Sequence, residues 1–272
     1  MNSLLPKREG STMTKVSCLC PTFRRPKAVA NAVACFLMQD FEDSELIVLD
    51  DEGDYIPGTI AERVKIVSIP FRFRTLPEKF NACAGLASID SEYLIVWEDD
   101  DVYFPNHISN HVVVLSETAD ICVTSKLYDE KGDGGNIRVR DNSISFHSGW
   151  AYRRDFFDLI DGYKITPNLN FDQRTFQKFI DNGAELDSTP EASHVYTWLS
   201  SGYTNGSALH GDKVESGDWY AAAADLPYRD KPPEPIKLEP RLSEQSEKAY
   251  AELYPEALEK FLNKLKKSEF SY

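Results

Sequence analysis

Across 272 residues, 44 Asp plus Glu outnumber 30 Lys plus Arg, giving a formal net charge of −14. One large domain with an appendage fits this length, and a 42% hydrophobic share supplies a core that excludes a wholly disordered chain. The acidic balance argues against gripping nucleic acid or an anionic membrane by bulk charge, and leaves room only for a local basic groove. Residues 1–14 read as a polar leader without the apolar core of a signal peptide. Val16–Cys20 is an apolar run that stops at Pro21, as a buried strand does. Pro26–Gln39 follows with apolar residues at helical spacing. Glu45–Leu49 and Val64–Ile69 are further strands, Glu78–Ala87 is a helix, and Tyr93–Trp97 is a fourth strand. Strands alternating with helices predict an α/β sheet, mostly parallel.

The second half is less regular. Asp129–Asn136 is a turn rich in Gly and Asp, Gly149–Ile160 mixes aromatics with Arg153 and Arg154, and Phe171–Ile180 has helical spacing. Ser200–His210 reads as a loop, Pro227–Pro240 as an extended connector, and Ser243–Lys267 as a helical tail broken at Pro255. No stretch reaches the roughly 20 apolar residues of a transmembrane helix. Five cysteines, Cys18, Cys20, Cys35, Cys83 and Cys122, show no CxxC spacing, so neither a zinc site nor a disulfide framework is signalled. The expectation is a soluble, cytoplasmic protein with reduced thiols.

In an open parallel sheet the carboxyl ends of the strands form the ligand crevice. Three of those ends here carry Pro21-Thr22, Asp50-Asp51 and Glu98-Asp99-Asp100-Asp101. Four adjacent carboxylates repel one another, and a divalent cation with oxygen ligands, Mg²⁺ or Mn²⁺, relieves that cost. Such a cation commonly neutralises a nucleotide diphosphate. A solvated acidic turn is the alternative.

The acidic segment resembles the DxD region of family 2 glycosyltransferases. The motif there runs as an apolar strand, Asp-x-Asp-Asp, three residues and Pro; here Glu98-Asp99-Asp100-Asp101 is followed by Val102-Tyr103-Phe104 and Pro105. The resemblance implies a GT-A fold, that is, a Rossmann-like nucleotide-diphospho-sugar transferase domain, over 15–226, with the connector and helical tail at 227–272. It implies that Asp100 is the principal metal ligand and that Glu98 takes the place of the usual first Asp, with Asp99 and Asp101 as neighbours in a shifted register. Val16–Pro26 is similar to the family's opening strand, which assigns Pro21, Thr22, Phe23 and Arg25 to the nucleotide. Glu45–Asp54 is similar to its second strand, which gives Asp51 the base, commonly uracil. Lys79 meets a phosphate on the same resemblance, with Arg72 or Arg74 reaching it from the preceding loop.

An inverting transferase also needs a base for the acceptor hydroxyl. Gly149–Arg154, Asp161-Gly162-Tyr163 and Phe171-Asp172 follow the family's order and imply that Asp172 is that base; a helix-capping role is the alternative. His210 is the first candidate for a histidine on the metal and His194 the second. Trp150 is a candidate for stacking on the acceptor. The implied reaction is transfer from a nucleotide-sugar, a UDP-sugar, to a hydroxyl of a glycan, a protein or a modified nucleobase. Nucleic acid enters only as a locally bound acceptor, with Arg138, Arg140, Arg153 and Arg154 as a patch. The tail packs on the domain or on a second subunit in a homo-oligomer. A nucleotidyltransferase is disfavoured because no glycine follows the first strand, and a non-catalytic binding module is disfavoured by the intact acidic run.

Overall fold

Apolar runs that end in polar turns become strands of one sheet. The computed structural model describes residues 15–117, 119–130, 138–141, 146–166, 170–197, 234–267 and 269–270. In chain order the elements are β1 (Lys15–Thr22), α1 (Pro26–Leu37), β2 (Ser44–Asp50), β3 (Gly58–Ile60), β4 (Val64–Ser68), α2 (Leu76–Gly85) and β5 (Ser91–Val96). Then come β6 (Val102–Tyr103), α3 (His107–Glu117), β7 (Ile121–Thr124), β8 (Lys126–Glu130), β9 (Arg138–Asp141) and β10 (Trp150–Arg153). The remainder is α4 (Arg154–Leu159), α5 (Phe171–Asp181), β11 (Leu186–Thr189), β12 (His194–Thr197), α6 (Glu244–Leu253) and α7 (Pro255–Lys266).

Among the described residues the main sheet has eight strands in the order β11-β7-β10-β5-β1-β2-β4-β3. β5, β1, β2 and β4 run parallel, as their continuous apolar sequences require when both faces are covered. β10 enters antiparallel between β5 and β7, and β3 is an antiparallel edge on β4. Side chains alternate between the two faces with period two. Val16, Cys18 and Cys20 of β1 face one core with Tyr93 and Ile95 of β5, whereas Leu19, Leu94 and Val96 face the other. A second sheet, β6-β12-β8-β9, stands beside the acidic segment.

The helix starts have local causes. α1 opens with Pro26, whose missing N–H costs nothing at that position. α2 begins at Leu76, two residues before the expected Glu78, because Thr75 and Glu78 form a reciprocal capping box. Asn81 on α2 donates from Nδ2 to the Tyr163 carbonyl and accepts at Oδ1 from the Tyr163 N–H, at 3.0 and 2.8 Å. This pair pins the turn at Gly162, whose φ of 55° and close approach to Asn81 leave no space for a Cβ.

Within the tail, Ile236 bridges to Tyr55, and Ser243 caps α6 by accepting from the Ser246 N–H. α6 and α7 are separated at Pro255, which takes the first position of α7. Tyr250 is fully buried, donates to the Tyr103 carbonyl and packs its ring on Phe104. Ala249, Tyr250 and Phe261 join the same core as β1 and α1. The tail thus packs on the domain, one of the two packings expected for it. No helix among the described residues is long and apolar enough to cross a membrane. Phe261→Ala is expected to lower unfolding free energy by about 3 to 5 kcal/mol in denaturant titrations. A loss below about 1 kcal/mol would mean that the tail does not share the core.

Candidate active site

The cleft lies where β1, β2 and β5 end. Pro21, Arg25, Leu76, Phe80, Glu98, Asp99, Asp100, Asp101, Tyr196 and Thr197 line it, around a volume of about 130 Å³. The acidic segment is fixed at both ends. Trp97 is buried, donates from Nε1 to the Ala32 carbonyl at 3.2 Å, and stacks on Tyr103 at 4.0 Å. The Glu98 N–H donates to the Tyr103 hydroxyl at 2.8 Å, and the Thr197 N–H donates to Asp101 Oδ1 at 2.8 Å.

Arg25 is the principal counter-charge. Arg24 adopts a left-handed φ of 54°, rare for a residue with a Cβ, and so turns the chain after β1. Arg25 is 2% exposed and donates from Nη1 to Asp99 Oδ1 and from Nη2 to Asp100 Oδ2, each at 2.6 Å. Thr22 Oγ1 donates to Asp99 Oδ2 at 2.6 Å. Burial pushes the Asp99 carboxyl up to about 6 in spite of Arg25. Glu98 and Asp101 are also pushed well above the usual carboxylate range, by burial first and then by Asp100.

The chemistry of this donor set, hard oxygens with surplus negative charge, fits a divalent cation. Among the described residues no three Asp, Glu, His or Cys side chains converge as a ready-made metal site. Asp100, half-buried at the cleft, can give an oxygen to such an ion.

Asp50 and Asp51 have different tasks. Asp50 shapes the turn, accepting from the Asp54 N–H at 2.7 Å and from Ser68 Oγ at 2.6 Å. Asp51 is buried and accepts from Lys79 Nζ at 2.6 Å, Arg72 Nη1 at 3.0 Å and the Phe73 N–H at 3.1 Å. Lys79 is fully buried and also donates to the Thr22 carbonyl. Its side chain thus ties β1 to Asp51 and presents no charge to the cleft, contrary to the phosphate contact expected from sequence. Arg74 is exposed beside the capping box of α2 and does not line the cleft. Phe23 is buried under the Arg72 guanidinium, 3.3 Å from its ring centroid, so it is a platform for Arg72 and not an open surface.

Asp172 sits in the first turn of α5, where the helix dipole favours a carboxylate. The N-cap is Asn170, so Asp172 is not the capping residue. The adjacent Phe171 packs on Phe80, which lines the cleft, and on His147, which bonds Glu98, so the start of α5 lies near the acidic segment. Trp150 is fully buried between β5 and β7 with its indole against Phe176. The acceptor-stacking role expected for it lacks an exposed ring. Arg153 and Arg154, of the expected basic patch, are paired with Asp155 and Asp158. His210 lies outside the described residues.

His194 is fully buried and stacks on Tyr103, in contact with His107, which in turn meets His111. Burial drives His111 and His194 down to about 3, and His107 well below its ordinary value. His194 therefore belongs to a neutral cluster below the cleft and is not placed to hold a cleft-bound ion. Sequence reasoning passed over His147, which accepts or donates at Nδ1 to Glu98 Oε1 at 3.0 Å and is 6% exposed. Nothing in its spacing marks it; a 3₁₀ turn at His147–Gly149 carries it there.

The family comparison accords with this geometry. The model of the family described as Glycosyl transferase family 2 matches residues 17–181, and the chain belongs to that family. Its fold is the GT-A fold. Among solved structures, S. aureus TarS 1–349 in complex with UDP is similar, with 15% identity, a TM-score of 0.54, and 68% of this chain and 61% of that chain covered. The mannosyltransferase PcManGT from Pyrobaculum calidifontis, in complex with GDP-Man and Mn²⁺, has 16% identity, a TM-score of 0.55, and 71% and 59% coverage. The chain thus spans 59–61% of the length of these two structures. At this identity the likeness is one of fold. No curated protein matches.

Two measurements test the electrostatics. Arg25→Met leaves Asp99 buried without its guanidinium, and a loss of about 3 to 5 kcal/mol in unfolding free energy is expected. An unchanged stability would contradict the pairing. The histidine cluster governs the acid limb. Unfolded histidines take up protons below about pH 6.5, while the buried ones stay neutral, so stability falls as pH drops from about 6.5 towards 4. His111→Leu removes one such group, and the stability difference from wild type is expected to shift in the variant's favour by about 1.4 kcal/mol per pH unit in that window. A difference that does not vary with pH would show that His111 is not held neutral.

Proposed function

We propose that the protein transfers a sugar from a nucleoside-diphosphate sugar, a UDP-sugar, to an acceptor hydroxyl with inversion. The observation that carries this reading is the convergence of Arg25, Glu98, Asp99 and Asp100 in one cleft at the end of β5, with the start of α5 packed near it through Phe171. The solved relatives' complexes with UDP, and with GDP-Man and Mn²⁺, support a donor of this class.

Asp100 would hold Mn²⁺ or Mg²⁺, which supplies positive charge against a diphosphate leaving group. Arg25 already bonds Asp100 and stands ready to pair with phosphate oxygens once a cation takes its place there. Asp51 meets the base where Arg72 now covers it, so Arg72 moves aside on binding or adds a donor to the base. Asp172 accepts the proton of the attacking hydroxyl as its oxygen reaches the anomeric carbon from the face opposite the leaving group. Held near the reacting atoms, this carboxylate makes the attack effectively intramolecular. Five buried, unpaired cysteines support a reducing, cytoplasmic setting.

The test is release of UDP from UDP-sugars with Mn²⁺, with water or added acceptors as the hydroxyl source. Asp172→Asn is expected to lower kcat by about 10²- to 10⁴-fold while donor binding persists. Wild-type turnover by Asp172→Asn would remove it as the base. Failure of every nucleotide-sugar to bind, with either metal, would overturn the transferase reading.

A further inference from the structure

A second groove lies at the starts of the strands, away from the cleft at their ends. It runs between α7 and the segment from the end of α1 to the start of β2, and its volume of about 700 Å³ exceeds that of the cleft. Glu42 and Arg63, which line it, precede β2 and β4. Leu37, Met38, Leu253 and Phe261 give it an apolar lining.

Three acidic side chains, Asp40, Glu42 and Glu256, and three basic ones, Arg63, Lys260 and Lys264, also line it. Arg63 is engaged within the chain, donating to Phe41 and Ser44 and covering the Phe36 ring. Glu256 sits in the first turn of α7, where the helix dipole favours a carboxylate. The other four are exposed, and none of them forms an ion pair among the described residues; Asp40 accepts from Ser109 Oγ at 3.2 Å. Lys260 and Lys264 are one helical turn apart and share a face of α7. Opposite charges therefore line one groove without meeting.

This pattern selects the occupant. Two copies of a chain with net charge −14 repel one another over most of their surface. In this groove the charges balance, three against three, so it is a face on which two copies can approach. The same balance gives a nucleic acid or a strongly basic peptide no net charge to attract it. A two-fold axis brings one residue of a pair to the other, and the reverse, so a groove with both signs of charge complements itself. Lys260 and Lys264 of each copy then reach Asp40 and Glu42 of the other. An apolar centre with a charged rim is also the usual anatomy of a protein interface.

We propose that this groove is the interface of a two-fold dimer of this chain, with α7 of each copy seated against the loop between α1 and β2 of the other. The cleft at the opposite strand ends stays open in both copies, so the proposal stands apart from the transferase reading.

Sedimentation velocity of the full chain over about 1 to 100 μM is expected to show a monomer–dimer equilibrium. A monomer throughout overturns the proposal and leaves the groove to another partner. The four charged residues are exposed and lie outside the cleft, so they can be reversed without opening the core. Lys260→Glu with Lys264→Glu, and separately Asp40→Lys with Glu42→Lys, are each expected to weaken the dimer roughly ten-fold or more. An equimolar mixture of the two double variants is expected to regain dimer, because the mixed pair restores both sets of contacts. A dimer indifferent to either reversal, or a mixture that stays monomeric, overturns the proposal. Cross-linking of wild type with a carbodiimide, which joins an amine to a carboxylate in contact, needs no variant. With ¹⁴N- and ¹⁵N-labelled copies mixed, mass spectrometry is expected to find Lys260 or Lys264 joined to Asp40 or Glu42 between light and heavy chains. Links between copies at other sites only would mean a different interface and overturn it.

Discussion

One buried guanidinium holds the acidic end of β5 together. Arg25 bonds Asp99 and Asp100 at once, and both contacts need the chain to reverse sharply after β1. Arg24 in its left-handed conformation makes that reversal, and Pro26 starts α1 directly afterwards. The pair is costly to desolvate, and even with it Asp99 stays above the ordinary carboxylate range. Such an arrangement is poised for a competing cation. The proposed function follows from this: a divalent cation would relieve the remaining negative charge and could carry a diphosphate with it.

A second cationic system stands a strand away. Lys79 and Arg72 both serve Asp51, and Arg72 also lies over Phe23. Asp51, Asp99 and Asp100 at the strand ends are thereby engaged by basic residues from the turn after β1, from α2 and from the loop between β4 and α2. The cleft keeps a surplus of negative charge, with four acidic side chains lining it beside Arg25.

The sheet was readable because parallel strands buried on both faces are nearly unbroken apolar runs, as in Leu94–Val96. The antiparallel entry of β10 was not, since four residues mixing Trp, Ala, Tyr and Arg carry no period that sets direction. The acidic run was expected at a strand end, and the structure lines one cleft with it, Pro21 and Arg25. Lys79, Phe23 and Trp150 were assigned to ligands because residue type gives no sign of burial, and all three are buried. His147 was missed for the opposite reason. Its partners, Glu98 and Tyr163, are 49 and 16 residues away, and only the folded chain brings them together.

The proposed function makes Asp100 a ligand of a divalent cation whose shell the nucleotide's oxygens complete. Titration of Mn²⁺ followed by the EPR signal of the free ion tests this. The account predicts weak uptake by the protein alone, much tighter uptake when UDP is added, and loss of the tightening in Asp100→Asn. Mn²⁺ uptake that UDP leaves unchanged, or tightening that survives in Asp100→Asn, would contradict it.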